Sequence, residues 1–257
     1  ESWGYEDFRR GTQRPAIESL IGTTRDILVR LPTGAGKSIV FHLPALLRSY
    51  YSGRLTIVIT PLRALMRDQV EGLWWRNFTE SVDYLSGGRD AWVNYEVYQG
   101  ILDGRIKLVF ISPERFRVPR FTEALQRRRR MDGGLEFVVF DEVHFMDDPE
   151  RGTVWEESLI FAPPEVRFIS LSATIPNLEE FGAWLEEVRS RPVAVIREER
   201  RPVPLEHRFY TELRGSFGTE ELDDVRRRDT PARTRRGSRR PPNIVEIRLS
   251  RRSLLSL

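Results

Sequence analysis

Short, almost continuously apolar runs alternate with longer amphipathic ones through the first 200 residues. The runs at 26–31 (DILVRL), 55–60 (LTIVIT), 82–85 (VDYL), 106–112 (IKLVFIS), 136–141 (EFVVFD) and 167–171 (RFISL) predict strands. They show little polar alternation, as expected of strands covered on both faces by helices. Apolar spacing of three and four predicts helices over 13–21, 37–51, 62–73, 90–102, 114–126, 153–160 and 177–188. In the last of these Asn177 is placed as N-cap, with Glu179 and Glu180 in the first turn. Strand and helix in strict alternation predict an α/β domain with a mostly parallel sheet and helices on both faces.

The pattern fails after about Tyr210. "RRRDTPARTRRGSRRPPN" combines Arg, Pro, Gly, Ser and Thr without apolar periodicity and reads as a linker or disordered tail. "IVEIRL" beyond it has the makings of one short strand. The expected division is therefore a folded domain over 1–210 and an irregular, Arg-rich tail over 211–257.

Charge sharpens that division. The net charge is +3, but residues 226–257 carry eleven Arg against Asp229 and Glu246, a net of +9, which leaves residues 1–225 at −6. The high isoelectric point thus reports the tail and not a binding face on the body. Zero cysteines exclude disulfides and thiolate metal sites and fit a cytoplasmic protein. No apolar run approaches the roughly 20 residues that span a membrane, and "ESWGYEDFRR" lacks a signal peptide's basic-then-apolar layout.

Lysine usage points to chemistry. Lys37 and Lys107 are the only lysines among 41 cations, so an ordinary surface cation at position 37 would have been Arg. Lys37 instead sits in "LPTGAGKS", between a predicted strand and a predicted helix start. The stretch matches the phosphate-loop pattern G-x-x-x-x-G-K-[ST] except that Leu31 replaces the first glycine. Gly34 and Gly36 let the backbone of Pro32, Thr33 and Ala35 curl so that N–H groups point inward, and the helix start adds positive potential. Lys37 would reach the β- and γ-phosphates of ATP, and the Ser38 hydroxyl would ligate Mg²⁺. A hundred residues on, "FVVFDEVH" is an apolar strand ending in two acids. It would deliver Asp141 to the carboxyl edge of the sheet, where ligands of open α/β folds bind. There Asp141 would hold Mg²⁺ and Glu142 would polarise the attacking water.

With these two motifs in place the chain resembles the superfamily 2 helicases of DExD/H-box type over roughly residues 5–210. "FRRGTQRPAI" resembles the family's adenine-reading motif, with Gln13 as the glutamine and Phe8 or Tyr5 as a stacking ring. "TPLRALMRDQ" (60–69) resembles its first nucleic-acid motif, "ISPERF" (111–116) its threonine-proline-glutamate motif with Ser112 for threonine and Glu114 in place, and "SAT" (172–174) its coupling motif. The resemblance implies a RecA-like fold and ATP-dependent movement on, or unwinding of, DNA or RNA. It also implies coupling through Ser172, Ala173 and Thr174 to His144 of "DEVH". The chemistry of the nucleic-acid motifs stands apart from the name. Thr60-Pro61 and Ser112-Pro113 each end a strand and open a helix, offering a hydroxyl and free N–H groups to a phosphate. Arg63 and Arg115 are placed to add phosphate contacts, and Gly87-Gly88 to admit a backbone closely. His42, His207, Trp74-Trp75 (as buried helix faces) and "QRRRR" (126–130, as a solvated helix end) read as structural.

The front motifs are RecQ-like, whereas "DEVHFMDDPERGTVWEESLIF", "SLSATIPNLEEFGAWL" and "RPVPLEH" are similar to the Ski-like branch, a longer and less generic match. A complete motor of this kind needs a second RecA-like domain carrying an arginine finger, and "RTRRGSRR" lacks the glutamine and spacing of that motif. The expectation is thus the first motor domain of a longer protein, weak in hydrolysis alone. The alternative is a nucleotide-gated nucleic-acid- or partner-binding module. A metabolic phosphate-loop kinase would leave "TPLRAL", "SPE" and "SAT" unexplained.

Overall fold

The computed structural model describes residues 7–8, 11–132, 134–147, 152–160, 162–175, 177–201, 205–211, 215–224 and 245–250. Its residues divide into two compact units, at Arg200/Arg201.

The first unit is one seven-stranded sheet in which every paired neighbour is parallel. The strands are β1 (Asp26–Arg30), β2 (Leu55–Ile59), β3 (Val82–Leu85), β4 (Leu108–Ile111), β5 (Leu135–Asp141), β6 (Arg167–Ser172) and β7 (Val193–Arg197), in the order β3-β4-β2-β5-β6-β1-β7. The helices are α1 (Gln13–Gly22), α2 (Lys37–Ser52), α3 (Arg63–Trp74), α4 (Ala91–Leu102), α5 (Pro119–Asp132), α6 (Gly152–Ile160) and α7 (Leu178–Arg189).

Side chains alternate between two cores because successive strand residues point to opposite faces. In β2, Ile57 and Ile59 join Val97, Phe121, Trp155 and Leu185 of α4, α5, α6 and α7. Val58 between them joins Leu20, Phe41 and Val70 of α1, α2 and α3 on the other face. Both faces are buried, and this explains why the strands read as unbroken apolar runs.

Within this unit the structure departs from the expected elements and burial in several places. The helix expected over 114–126 is a 3₁₀ turn, Pro113–Arg117, followed by α5 from Pro119. Val118 precedes a proline and is extended at φ −88°, ψ 112°, as the clash with the proline ring demands. β7 was not expected, although Val193 to Ile196 form an unbroken apolar run; it is an edge strand, only half-buried. Arg128, expected in a solvated run, is 2% exposed and donates from Nη2 to the Gly53 carbonyl at 2.5 Å, capping the C-terminus of α2. Trp74 is partly buried and donates to the Val82 carbonyl at 2.7 Å, but Trp75 is 89% exposed.

In the second unit, β8 (Leu205–Thr211) is the central strand of a three-stranded antiparallel sheet, with β9 (Gly215–Gly218) and β10 (Val245–Ser250) on either side. The short strand read in "IVEIRL" is β10. The sequence boundary at 210 would cut β8, whose pairing explains the earlier division. The Pro- and Arg-rich stretch 225–244, Tyr5 and the His207 side chain lie outside what is described.

Candidate active site

Strand order splits the carboxyl edge of the sheet in two. The loops after β1, β5 and β6 carry "LPTGAGKS", "DEVH" and "SAT", and these three strands are neighbours. The loops after β2, β3 and β4 carry "TPLR", Gly87-Gly88 and "SPER", and these three are neighbours as well. One half collects the motifs expected to hold nucleotide and the other those expected to hold nucleic acid, with β2 and β5 paired at the seam.

In the nucleotide half, Gly34 and Gly36 have φ of 84° and 82°, a left-handed conformation that side chains resist, so the two glycines form the curl. Pro32 and Ala35 are buried under it, while Thr33 and Gly34 are exposed. Leu31 N–H donates to the Ser172 carbonyl at 3.0 Å, continuing the β1–β6 ladder and tying the phosphate loop to the coupling motif. Gln13 is 6% exposed and donates from Nε2 to the Gly36 carbonyl at 3.3 Å, so it touches the loop itself. Phe8, a candidate stacking ring, has the Arg14 guanidinium 5.0 Å over its centre.

Lys37 and Ser38 open α2 beneath this curl. Lys37 Nζ donates to Glu142 Oε1 at 2.5 Å, with both side chains largely covered. Glu142 follows the last residue of β5 at φ 64°, rare for a residue with a side chain, and that turn brings its carboxylate to the lysine. Its other oxygen, Oε2, is buried without a hydrogen-bond partner, 3.4 Å from His144 Nδ1. His144 Nδ1 lies 3.0 Å from Ser172 Oγ, which accepts from the Thr174 N–H at 3.1 Å. Histidine and coupling motif are thus hydrogen-bonded to one another, with the acid's carboxylate 3.4 Å from the histidine.

Asp141 is 3% exposed, and burial pushes its carboxyl up to about 6 against the opposing bond from Gln69, with the Glu142 charge raising it further. Gln69 Nε2 donates to Asp141 Oδ2 at 2.7 Å, and Gln69 Oε1 lies 3.2 Å from His42 Nε2. Since the Gln69 oxygen only accepts, His42 must carry its proton on Nε2. His42 is packed edge-on against Phe41 and Phe110, and burial drives it down to about 3. Sequence reasoning left Gln69 without a role and His42 without a partner. The signal for both was spacing: Gln69 lies two turns into α3, facing α2.

Residues around this site fit a magnesium nucleotide. Among the described residues no group of three or more His, Asp or Glu could cage a metal. One buried acid, one hydroxyl and a glycine curl suit a cation that brings phosphates and water as its remaining ligands. The unpartnered Glu142 oxygen marks a place for a further donor.

In the nucleic-acid half, Arg63 is exposed at the first turn of α3, and Gly87 and Gly88 are exposed. A side chain at Gly88 would stand 3.6 Å from Arg63 Nη1, so these two meet. Glu114 is exposed, Ser112 and Arg115 half-buried, and Pro61 and Pro113 buried. Thr60 corrects an expectation. It is fully buried, its N–H extending the β2–β4 ladder to the Ile111 carbonyl at 3.0 Å, and its hydroxyl faces no solvent. Pairing carried one residue past β2 places that side chain beneath the loop.

A parallel sheet with a glycine curl, Lys and Ser at one carboxyl edge, facing an Asp-Glu pair on a nearby strand, defines a phosphate-loop nucleotide-binding domain. Comparison with known proteins places it within that class. The DEAD/DEAH box helicase family matches residues 10–181, and the chain belongs to it. It is similar to the "Probable helicase HelY" of Mycobacterium tuberculosis (strain ATCC 25618 / H37Rv), 38% identical over 181 residues, 70% of this chain and 18% of that protein. It is 34% identical over 184 residues to the "Antiviral helicase SKI2" of Saccharomyces cerevisiae, 70% of this chain and 13% of that one. It is 35% identical over 190 residues to the human "Superkiller complex protein 2", covering 72% and 13%. These relatives carry the Ski-like side of the resemblance, and the fold is the RecA-like domain of this superfamily. The chain spans less than a fifth of the length of each of the three. No described helix is long and apolar enough to cross a membrane.

Proposed function

We propose that this chain is the ATP-binding domain of a nucleic-acid-dependent motor, working with a second RecA-like domain that supplies an arginine finger. The observation that carries the reading is the Lys37–Glu142 pair at 2.5 Å. It joins the phosphate-binding cation to the residue expected to polarise water, so the two are mutually occupied. A γ-phosphate competing for Lys37 releases Glu142 as the general base. Gln13 reads the adenine side, the N–H groups of the Pro32–Gly36 curl cradle phosphate, and Ser38 and Asp141 hold Mg²⁺. The ion would supply charge neutralisation between the phosphates. His144, Ser172, Ala173 and Thr174 transmit the state of Glu142, because Ser172 accepts from the Thr174 N–H and lies 3.0 Å from His144 Nδ1.

Single-stranded DNA or RNA lies along the other half of the edge, held at its phosphates by Arg63, Arg115 and the helix starts after Pro61 and Ser112, with Gly87-Gly88 admitting the backbone and Glu114 beside it. Such contacts grip without reading sequence. The cytoplasm fits the absence of cysteine. The test is ATP turnover by this chain and by Lys37→Ala, with and without single strands. Strand-stimulated turnover that the variant lacks supports the motor. Nucleotide binding with no turnover on any strand places the missing chemistry in the second domain. Absence of nucleotide binding overturns the reading.

A further inference from the structure

Trp92 and Trp75 both project from the first unit, 66% and 89% exposed. They sit at opposite edges of the sheet. α3 leaves the carboxyl end of β2 and returns to the amino end of β3, and Trp75 caps that far end. Trp92 is in the first turn of α4, just after the Gly87-Gly88 loop, at the carboxyl edge where the nucleic-acid motifs gather.

Trp92 is built into its surroundings by other rings. Tyr95 stacks on it, the centres 5.4 Å apart and the planes 22° from parallel. Arg120, in the first turn of α5, lies 5.0 Å from the centre of Tyr95 and 4.9 Å from that of Tyr98. The first turn of α4 is also fixed to the glycine loop. Asn94 donates to the Ser86 carbonyl at 2.8 Å and to that of Arg89 at 3.3 Å, and accepts from the Ser86 N–H at 3.3 Å. Asp90 accepts from the Trp92 N–H at 2.7 Å, which directs its carboxylate to the helix start. A large apolar ring is therefore held out in water, in one orientation, beside the loop that meets Arg63.

We propose that Trp92, backed by Tyr95, is a stacking platform for a base of the single strand. This rests on the nucleic-acid reading of the β3-β4-β2 edge and adds to it a contact with bases, where the motifs supply contacts to phosphates. Stacking suits the task because every base has a π-face, so the platform adds grip without sequence preference. Pre-stacking on Tyr95 leaves little ring motion to lose on binding, and Arg120 over Tyr95 completes a layer of ring on ring on guanidinium.

The experiment measures binding of fluorescein-labelled 20-residue single strands by anisotropy, with a non-hydrolysable ATP analogue present. One strand is DNA, one RNA of the same sequence, and one the DNA with abasic positions throughout its centre. The wild-type chain is expected to bind base-bearing strands about tenfold more tightly than the abasic one. Trp92→Ala should lose that preference, Trp75→Ala should keep it, and Arg63→Ala should weaken all strands alike. The DNA and RNA arms show which sugar the edge accepts; a base preference on either supports the platform. Equal wild-type affinity for base-bearing and abasic strands, or a preference that survives Trp92→Ala, overturns the platform and leaves the phosphate grip standing. A wild-type chain that binds no strand overturns both.

Discussion

Acid should destabilise this fold through His42 in a way that one substitution isolates. The imidazole is 5% exposed between two phenylalanine rings, and its Nε2–H donates to Gln69. Burial lowers its proton affinity from 6.5 in the unfolded chain to about 3 in the folded one, while the Gln69 bond opposes that shift and the Arg76 charge adds to it. Between those values the unfolded chain binds the proton and the folded chain does not, so stability falls as pH falls through 6.5 and stops falling near 3. Linkage over this interval gives a loss of about 2 kcal/mol between pH 8 and pH 5, growing to about 5 kcal/mol below pH 3. Asp141 acts with the opposite sign. Its folded value near 6 lies above the unfolded 3.8, so its folded form gains protons first and stability rises on acidification through that window. A raw pH profile would mix the two, and the comparison must be between variants. His42→Gln keeps an N–H donor for Gln69 and removes the titrating group. Urea unfolding of both proteins at pH 8, 6 and 5 should show the gap between them changing by about 2 kcal/mol in the variant's favour as pH falls. Parallel profiles would refute the buried neutral imidazole, and with it the tautomer and the direction of the Gln69 amide.

Other substitutions test the remaining parts. Gln69→Leu leaves the Asp141 carboxylate and the His42 N–H without their partner and should cost about 1–3 kcal/mol in urea unfolding, whereas a neutral result would remove Gln69 from the site. Arg128→Ala uncaps α2 at Gly53 and should cost about 2 kcal/mol, while exposed Arg127→Ala stays within about 0.5 kcal/mol; equal effects would contradict the buried cap. His144→Ala breaks the contact to Ser172 but leaves the phosphate loop intact. Fluorescent-nucleotide affinity should therefore hold while strand stimulation of turnover disappears, and unchanged stimulation would refute the coupling role.

What could be read beforehand was what chemistry writes locally. The glycine curl, the lysine at the helix start and the acids ending an apolar strand each need particular residues at fixed spacing, so Lys37, Ser38, Asp141 and Glu142 could be named before any fold was known. Strands β1 to β6 were legible because each carries a short, mostly apolar run with few polar positions, as burial in the sheet requires. Edge strand β7 carries the same signal in Val193 to Ile196 yet was not expected, whereas β8 and β9 offer no long apolar run. What spacing did not disclose was which groups meet across the sheet: Gln69 with Asp141 from seventy-two residues away, or Lys37 with Glu142 from a hundred and five. Arg128 illustrates the same limit. Nothing in "QRRRR" distinguishes one arginine from its neighbours until helix phase turns that one inward onto Gly53.

The parallel order of the strands explains why so many motifs serve one edge. Every strand of this sheet points the same way, so every loop that follows a strand emerges at the same edge, whichever helix it enters. Chain order scatters the motifs over 143 residues, from Pro32 to Thr174. Strand order then sorts them, putting β5, β6 and β1 on one side and β3, β4 and β2 on the other. The two sets meet where β2 pairs with β5, and α3, which leaves β2, carries Arg63 beside Gly88 and Gln69 against Asp141. A single helix therefore touches both halves. On the proposed function, a shift of α3 that tightened the hold of Arg63 on a phosphate would also move the amide that positions Asp141, a lever separate from the His144–Ser172 contact.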